Sequence, residues 1–185
     1  MIARRLVVLT VALAGAAAAG ESAVAVQALG REVAEVERSI DRRFANLESG
    51  AGIARVGSTR GVYLRGYGAV FMVEVNLAPA AQVSPFRQSY SEEERRQLNL
   101  LKRQRLPELE QAARQILIDE SAGLPSLPKG EKAALTVLLF HFPWEDLTEL
   151  PTRLVLDAER GALDAARSGE LPPDGRKGRL ELTYF

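Results

Sequence analysis

Residues 133–142 form an almost continuously apolar run, and no other segment constrains the fold as strongly. A short apolar run bounded by polar residues and proline is typical of a strand that is covered on both faces. Such a strand has to lie inside a sheet, with neighbours on each side and further elements packed against it. The run therefore predicts a central strand.

Residues 61–77 predict a β-hairpin. β-branched and aromatic residues flank the turn Gly66-Tyr67-Gly68. In the second strand the side chains alternate, with one face apolar and the other becoming polar at Glu74. The glycines do not indicate nucleotide binding, because the third glycine of a dinucleotide fingerprint is missing and the segment continues into a strand. We expect them to serve the tight turn.

Residues 22–48 predict an amphipathic helix. Its apolar residues recur every three or four positions: Val26, Leu29, Val33, Val36, Ile40, Phe44 and Leu47. One interpretation is a short coiled coil that binds a protein partner or a second copy. The other, which the barely three heptads favour, is a helix packed on its own domain. The glycine- and serine-rich residues 49–59 predict a linker, followed by a single α+β domain over 58–185.

A second, longer helix is predicted to begin near residue 90. Ser89 and Ser91 each stand three residues before a glutamate, which is the capping-box pattern. Pro107 predicts a kink or a restart, and the basic residues 95–105 are interpreted as a solvated face. A short helix and a last strand follow. The order predicts an α+β fold: a small mixed or antiparallel sheet packed with helices, preceded by an N-terminal amphipathic helix.

Residues 1–19 have the pattern of a secretory signal peptide. Arg4 and Arg5 precede an apolar run, and small residues follow it. Cleavage is predicted after Ala19, with a later alternative at Ala25. The apolar run is shorter than the roughly 20 residues of a membrane-spanning helix. We therefore predict a bacterial protein that is exported to the periplasm or secreted, without an integral membrane span after cleavage.

Composition narrows the classes of function. The chain has no cysteine, which excludes a disulfide framework, a thiolate metal site and a catalytic thiol. It has 24 basic and 24 acidic side chains. Loss of Arg4 and Arg5 would leave 24 − 2 = 22 basic against 24 acidic, a net charge of −2. This balance gives no electrostatic case for nucleic-acid binding.

His141 is the only histidine, so any Ser-His-Asp triad would have to use it. No nucleophile motif accompanies it, and we expect no catalytic residue, bound metal or cofactor. One binding site remains as a hypothesis, provided that the hairpin turn meets the elbow 143–146. Its residues would be Tyr67, Glu74, His141, Trp144, Glu145 and Asp146. The alternative is that His141 ends a strand and Trp144 packs over the sheet edge.

Residues 61–77 (with Gly-Tyr-Gly-Ala-Val-Phe) and 142–163 (with Pro-Trp-Glu-Asp) together resemble a family of exported bacterial proteins without an assigned activity. The resemblance implies export and one common domain, and it implies no catalytic residue. The leading hypothesis is a non-enzymatic envelope or periplasmic interaction module that acts through residues 22–48. The alternative hypothesis is a ligand-binding or hydrolytic domain with its site between the turn and the elbow.

Overall fold

The computed structural model describes residues 9–79, 90–170 and 180–185, with side chains from residue 26 onward. The helices are α1 (Leu9–Ala51), α2 (Glu92–Glu120) and α3 (Arg160–Ser168). The strands are β1 (Ala54–Leu64), β2 (Gly68–Asn76), β3 (Lys132–Leu139), β4 (Arg153–Glu159) and β5 (Glu181–Tyr184). The mixture of a sheet and helices confirms the predicted α+β fold.

The five strands lie side by side in sequence order, from β1 at one edge to β5 at the other. The pair β2–β3 is parallel, whereas every other neighbouring pair is antiparallel. The sheet is therefore mixed, and α2 belongs to the connection that the parallel pair requires. β3 occupies the predicted central position, although it ends at Leu139 rather than at Phe142.

The two faces of the sheet differ in what covers them. The covered face is buried in one core with side chains of all three helices. Its strand residues include Ala69, Phe71, Val73, Val75, Ala133, Leu135, Val137, Leu154, Leu156 and Ala158. The alternate residues form the open face, which includes Val56, Arg60, Val62, Leu64, Val70, Met72, Glu74, Lys132, Ala134, Thr136, Leu138, Arg153, Val155, Asp157, Glu159, Glu181 and Thr183. The prediction that β3 is covered on both faces is thus correct for one face only.

The apolar stripe of α1 packs against the sheet of its own chain. Leu29, Val33, Val36, Ile40 and Phe44 are at most 6% exposed and belong to the common core. The interpretation of α1 as a helix packed on its own domain describes this arrangement. The hypothesis of a coiled coil or docking helix needs the same stripe to be available, and the core occupies it.

Carboxylates of α1 also accept hydrogen bonds from backbone N–H groups along the free edge of β1. Asp41 accepts a hydrogen bond from the backbone N–H of Thr59 at 2.9 Å, and Glu37 accepts one from Gly61 at 2.5 Å. Gly61 allows this close approach, since a Cβ there would lie 2.7 Å from a methyl group of Val33. An unpaired edge would otherwise be a template for another strand. Helix α1 therefore blocks edge-to-edge pairing at β1.

Part of the predicted linker lies inside a strand. β1 begins at Ala54, four residues before the predicted domain boundary at 58. Gly57 has a positive φ of 74°, and the register with β2 shifts between Val56 and Arg60. The glycine signal thus marks a β-bulge rather than a hinge. Helix α1 and the sheet are joined directly through Gly52 and the fully buried Ile53.

Helix α2 begins with the predicted capping box. The Ser91 hydroxyl accepts from the N–H of Glu94 at 3.2 Å, and the Glu94 carboxylate accepts from the N–H of Ser91 at 2.8 Å. The other predicted cap, Ser89, lies outside the described residues. The helix does not restart at Pro107, because α2 runs through this residue as one helix, and the predicted kink stays a prediction. The buried residues Leu98 and Leu109 on either side hold both halves against the core.

Within the described ranges, no helix combines the length and the apolar character that crossing a membrane requires. Helix α1 already includes residues from Leu9 onward, so its backbone runs through the predicted cleavage positions. Cleavage and export remain predictions.

Above pH 10 the domain should lose stability, and part of that loss comes from Tyr184. Burial and the hydrogen bond to Glu110 raise the pKa of Tyr184 from 10.0 to about 12. The unfolded chain ionises first, so this contribution is complete below pH 10 and disappears as the pH rises through about 12. Urea unfolding at pH 9, 10 and 11 should show a shallower decline for Tyr184→Phe. Equal declines for both proteins would contradict this assignment.

Candidate functional site

The hairpin turn and the elbow lie at opposite ends of the sheet. The Tyr67 carbonyl accepts from the N–H of Lys132, where β3 begins. The elbow follows Leu139, where β3 ends. Because β2 and β3 are parallel, the eight residues of β3 separate the two segments, which amounts to about 23 Å at the usual rise per residue. A single binding site joining the turn to the elbow is therefore not formed.

Glu74 is also separated from the elbow carboxylates. It is half-buried on the open face, in register with Val56 on β1 and Leu138 on β3. The carboxylate of Glu145 instead contacts Lys102 of α2, a helix that packs on the covered side. Of the six predicted residues, the structure brings together only the four that are already neighbours in sequence: His141, Trp144, Glu145 and Asp146.

A buried ion pair organises the elbow. The Lys102 ammonium donates to the Glu145 carboxylate at 2.5 Å and to the Phe140 carbonyl at 3.0 Å. The other Glu145 oxygen accepts from the N–H of Phe142 at 2.9 Å. The two side chains are only 5% and 4% exposed. This network ties the chain after β3 to α2, and its satisfied hydrogen bonds indicate a structural role.

Lys102 was not predicted to be buried, because it lies among the basic residues 95–105 that were interpreted as a solvated face. Its spacing from the apolar residues of α2 does indicate burial. Lys102 stands four residues after Leu98 and seven before Leu109, which places it in line with the buried stripe of α2. A lysine in an apolar stripe predicts a buried partner of opposite charge.

Aromatic side chains hold Trp144 within the elbow. Its ring stacks on Tyr90 with a centroid distance of 4.2 Å and on Phe142 at 5.2 Å. Phe140 meets Phe142 edge to face at 4.9 Å. Stacking of this kind stabilises the packing of a loop. Tyr90 lies just before α2 and Phe142 follows β3, so the alternative in which Trp144 packs over the sheet edge stays a prediction.

The remaining elbow residues make local contacts. The His141 ring is exposed, and its Nδ1 lies 3.3 Å from the Leu139 carbonyl. Asp146 accepts from the N–H of Thr148 at 2.9 Å, and hydrogen bonding to Thr148 lowers the pKa of Asp146. A cavity of about 10 Å³ lies beside Lys102 and Glu145, which is room for one water molecule. This cavity is too small for a substrate.

An acidic cleft of about 580 Å³ lies at the turn end of the sheet. Lys132 contacts Asp157 at 2.5 Å, and this hydrogen bond raises the pKa of Lys132. Asp157 and Glu181 stand directly opposite each other on β4 and β5. Among the residues that the structure describes, no group of three or more acidic or histidine side chains is arranged to hold a metal ion. The cleft therefore contains charged side chains, but its described residues are not arranged as the ligands of a metal ion.

The open face carries a cluster of exposed apolar side chains. Val62, Leu64 and Met72 are 50%, 48% and 45% exposed on the neighbouring strands β1 and β2. Four half-buried side chains extend this apolar area across β2, β3 and β4: Val70, Thr136, Leu138 and Val155. Charged residues surround it. A contiguous apolar surface with a polar rim is typical of a protein-binding site.

Comparisons of the chain with protein-family models, with curated proteins and with solved structures find no match. The resemblance to exported bacterial proteins thus gains no support from a family model, and the function has to be inferred from the residues and their geometry.

Proposed function

We propose that this chain is an exported, non-enzymatic interaction module that binds a protein surface through the open face of its sheet. The observation that supports this function is the cluster of exposed apolar side chains Val62, Leu64 and Met72. All three helices pack on the other side of the sheet. Full burial of one such side chain contributes about 1.5–3 kcal/mol, so a partner that covered all three would gain substantial affinity.

The proposed contact surface is the open face of the sheet and not residues 22–48. The apolar stripe of α1 is occupied by its own sheet, and its edge carboxylates Glu37 and Asp41 are bound to β1. Most of the long side chains that α1 exposes between residues 26 and 51 are charged, such as Glu35 and Arg38, and Val26 is the large apolar exception. A flat charged helix face provides much less apolar area than the open face of the sheet.

The state of the elbow supports a function without catalysis. Glu145 is held by Lys102 and by a backbone N–H, and Trp144 is packed against two aromatic rings. A catalytic acid or base needs access to a substrate at hydrogen-bond distance. These side chains are committed to the fold. Export rests on the signal-peptide pattern of residues 1–19.

Thiol labelling in cells tests this proposal, because the natural chain has no cysteine. Met72→Cys introduces one thiol on the open face, and Glu35→Cys introduces a matched control on the exposed side of α1. A charged maleimide that does not cross the cytoplasmic membrane is added to intact cells and to purified protein at nanomolar concentration. We expect the Met72→Cys thiol to react at least tenfold more slowly in cells than in dilute solution.

The Glu35→Cys control tests export separately from contact at the open face. Labelling of the Glu35→Cys thiol in intact cells would support export, whereas labelling only after lysis would contradict it. If the Met72→Cys thiol reacts equally fast in cells and in dilute solution, the open face is uncovered and the proposed contact surface is wrong.

A further inference from the structure

We infer that the partner on the open face is a basic protein segment, which places lysine or arginine side chains over the acidic cleft and apolar side chains over Val62, Leu64 and Met72. This inference rests on the proposed function, since it assumes that the open face is the contact surface. It adds the chemistry of the partner and the direction in which the partner lies across the sheet.

The apolar cluster and the acidic cleft share one row of residues across the open face. The strand register places Val62, Val70, Ala134, Asp157 and Glu181 side by side, one on each strand from β1 to β5. The row therefore changes from three apolar side chains to two carboxylates. Val70 and Asp157 are two strands apart, which is about 10 Å at the usual strand spacing. One short segment of a partner can therefore cover both parts of the row.

The acidic cleft has an excess of negative charge. Its single ammonium group, on Lys132, is paired with Asp157. The carboxylates of Glu159 and Glu181 are exposed, and within the described part of the chain neither of them belongs to an ion pair. Glu159 is in register with Lys132, and Glu181 with Asp157. Two carboxylates thus remain at this end of the face for cationic groups of a partner.

The beginning of α3 does not turn the cleft into a site for an anion. Gly161 and Ala162, in the first turn of α3, line the cleft. The N–H of Arg160 donates to the Glu131 carbonyl at 2.8 Å, and the N–H of Gly161 donates to the Lys129 carbonyl at 3.0 Å. These two N–H groups are therefore already used within the chain, and the carboxylates determine which charge the cleft attracts.

The other charges of the open face give the partner a direction. Arg60 projects from β1, four strands away from Glu181, which is about 19 Å. Arg153 lies towards the elbow, where its guanidinium covers the Phe185 ring at 4.6 Å. Glu74, two strands away in the same row, has the opposite charge. The negative excess thus lies at the turn end of β4 and β5, and we place the basic groups of the partner there.

The same charges favour a basic protein over a lipid membrane. Exposed apolar side chains can also insert into a lipid surface. Anionic lipids, however, attract basic proteins, and they would repel the carboxylates of Glu159 and Glu181. A protein segment with lysine or arginine beside apolar side chains offers both apolar burial and the complementary charge, and the charge selects its orientation.

Charge reversal in intact cells tests the inference, because the cell supplies the natural partner. Glu159→Lys/Glu181→Lys is introduced into the full chain that carries Met72→Cys, and Glu35→Lys/Glu48→Lys on the exposed side of α1 is the matched control. The rate of maleimide labelling in cells is divided by the rate for the same variant in dilute solution. We expect reversal at the cleft to raise this ratio by about tenfold, because like charges repel the partner. The control should leave the ratio unchanged.

Two further measurements accompany the reversal. Glu159→Gln/Glu181→Gln removes the charges without reversing them and should raise the ratio by a smaller factor. Thermal unfolding of every variant verifies its fold. Cosedimentation of the natural chain with vesicles of phosphatidylglycerol and phosphatidylethanolamine measures lipid binding, and we expect the chain to stay in the supernatant. Binding to these vesicles that Met72→Glu abolishes would identify a lipid surface as the occupant and overturn the inference.

Two results of the labelling overturn the inference and leave the proposed function intact. One is a Met72→Cys thiol that stays equally protected after charge reversal at the cleft. The other is stronger protection after the reversal, which would assign an acidic partner. If that thiol is unprotected in the chain without charge reversal, the open face is uncovered, and the proposed function fails together with this inference.

Discussion

Phe44→Ala should lower the free energy of unfolding by about 3–5 kcal/mol, the usual cost of removing a buried aromatic side chain. Phe44 is fully buried in the core that α1 shares with the sheet. The alanine variant loses the apolar burial of the ring and leaves a cavity that the surrounding strands cannot fill. Urea denaturation followed by circular dichroism measures the difference. The slope of the transition should stay the same if the fold is unchanged.

Val26→Ala is the matched control on the same helix. Val26 is 41% exposed, so this change should alter stability by no more than about 0.5 kcal/mol. Deletion of residues 22–48 is the stronger test, because it removes the whole apolar stripe and the carboxylates that bind the edge of β1. We expect no cooperative unfolding transition. A truncated chain that unfolds cooperatively would identify α1 as an appended docking element.

Lys102→Ala should destabilise the domain by about 3–5 kcal/mol, because one partner of a buried ion pair is removed and the other remains. The Glu145 carboxylate is 4% exposed and would keep only the N–H of Phe142. The Phe140 carbonyl would also lose the hydrogen bond from Lys102. Chemical denaturation at neutral pH measures this effect.

A double-mutant cycle distinguishes the ion pair from simple packing. Lys102→Met/Glu145→Leu removes both charges and should recover most of the loss, since apolar residues often replace a buried ion pair at little cost. Arg96→Ala is the control, because Arg96 pairs with Glu92 on the same helix with side chains 72% and 81% exposed. This exposed pair should contribute at most about 0.5 kcal/mol. A Lys102→Ala effect of similar size would contradict the structural role.

Local signals in the sequence predicted several elements correctly. The capping box at Ser91 is a contact between residues three apart, so sequence spacing alone locates it. The hairpin turn at Gly66 and the apolar run of β3 are of the same kind. Helix α2 continues through Pro107 without a restart, because a proline removes only one helical hydrogen bond and packing of α2 against the core compensates for that loss.

The candidate sites were harder to predict, because their residues are distant in sequence. Lys102 and Glu145 are 43 positions apart, and their contact depends on how α2 lies across the sheet. The open face combines residues from all five strands. Alternation along β2 indicated one buried and one partly covered face, as the structure has them, but it did not show which elements would cover the buried face.

The sequence by itself determined the α+β class, the central position of β3 and the amphipathic character of α1, because periodicity and capping act within a few residues. Tertiary structure alone decided three further properties. The parallel pairing of β2 with β3 placed Tyr67 and the elbow at opposite ends of the sheet. Packing of all three helices on one face of the sheet buried the apolar stripe of α1. That same choice left Val62, Leu64 and Met72 uncovered, because a layer of helices and one face of the sheet already form a complete core.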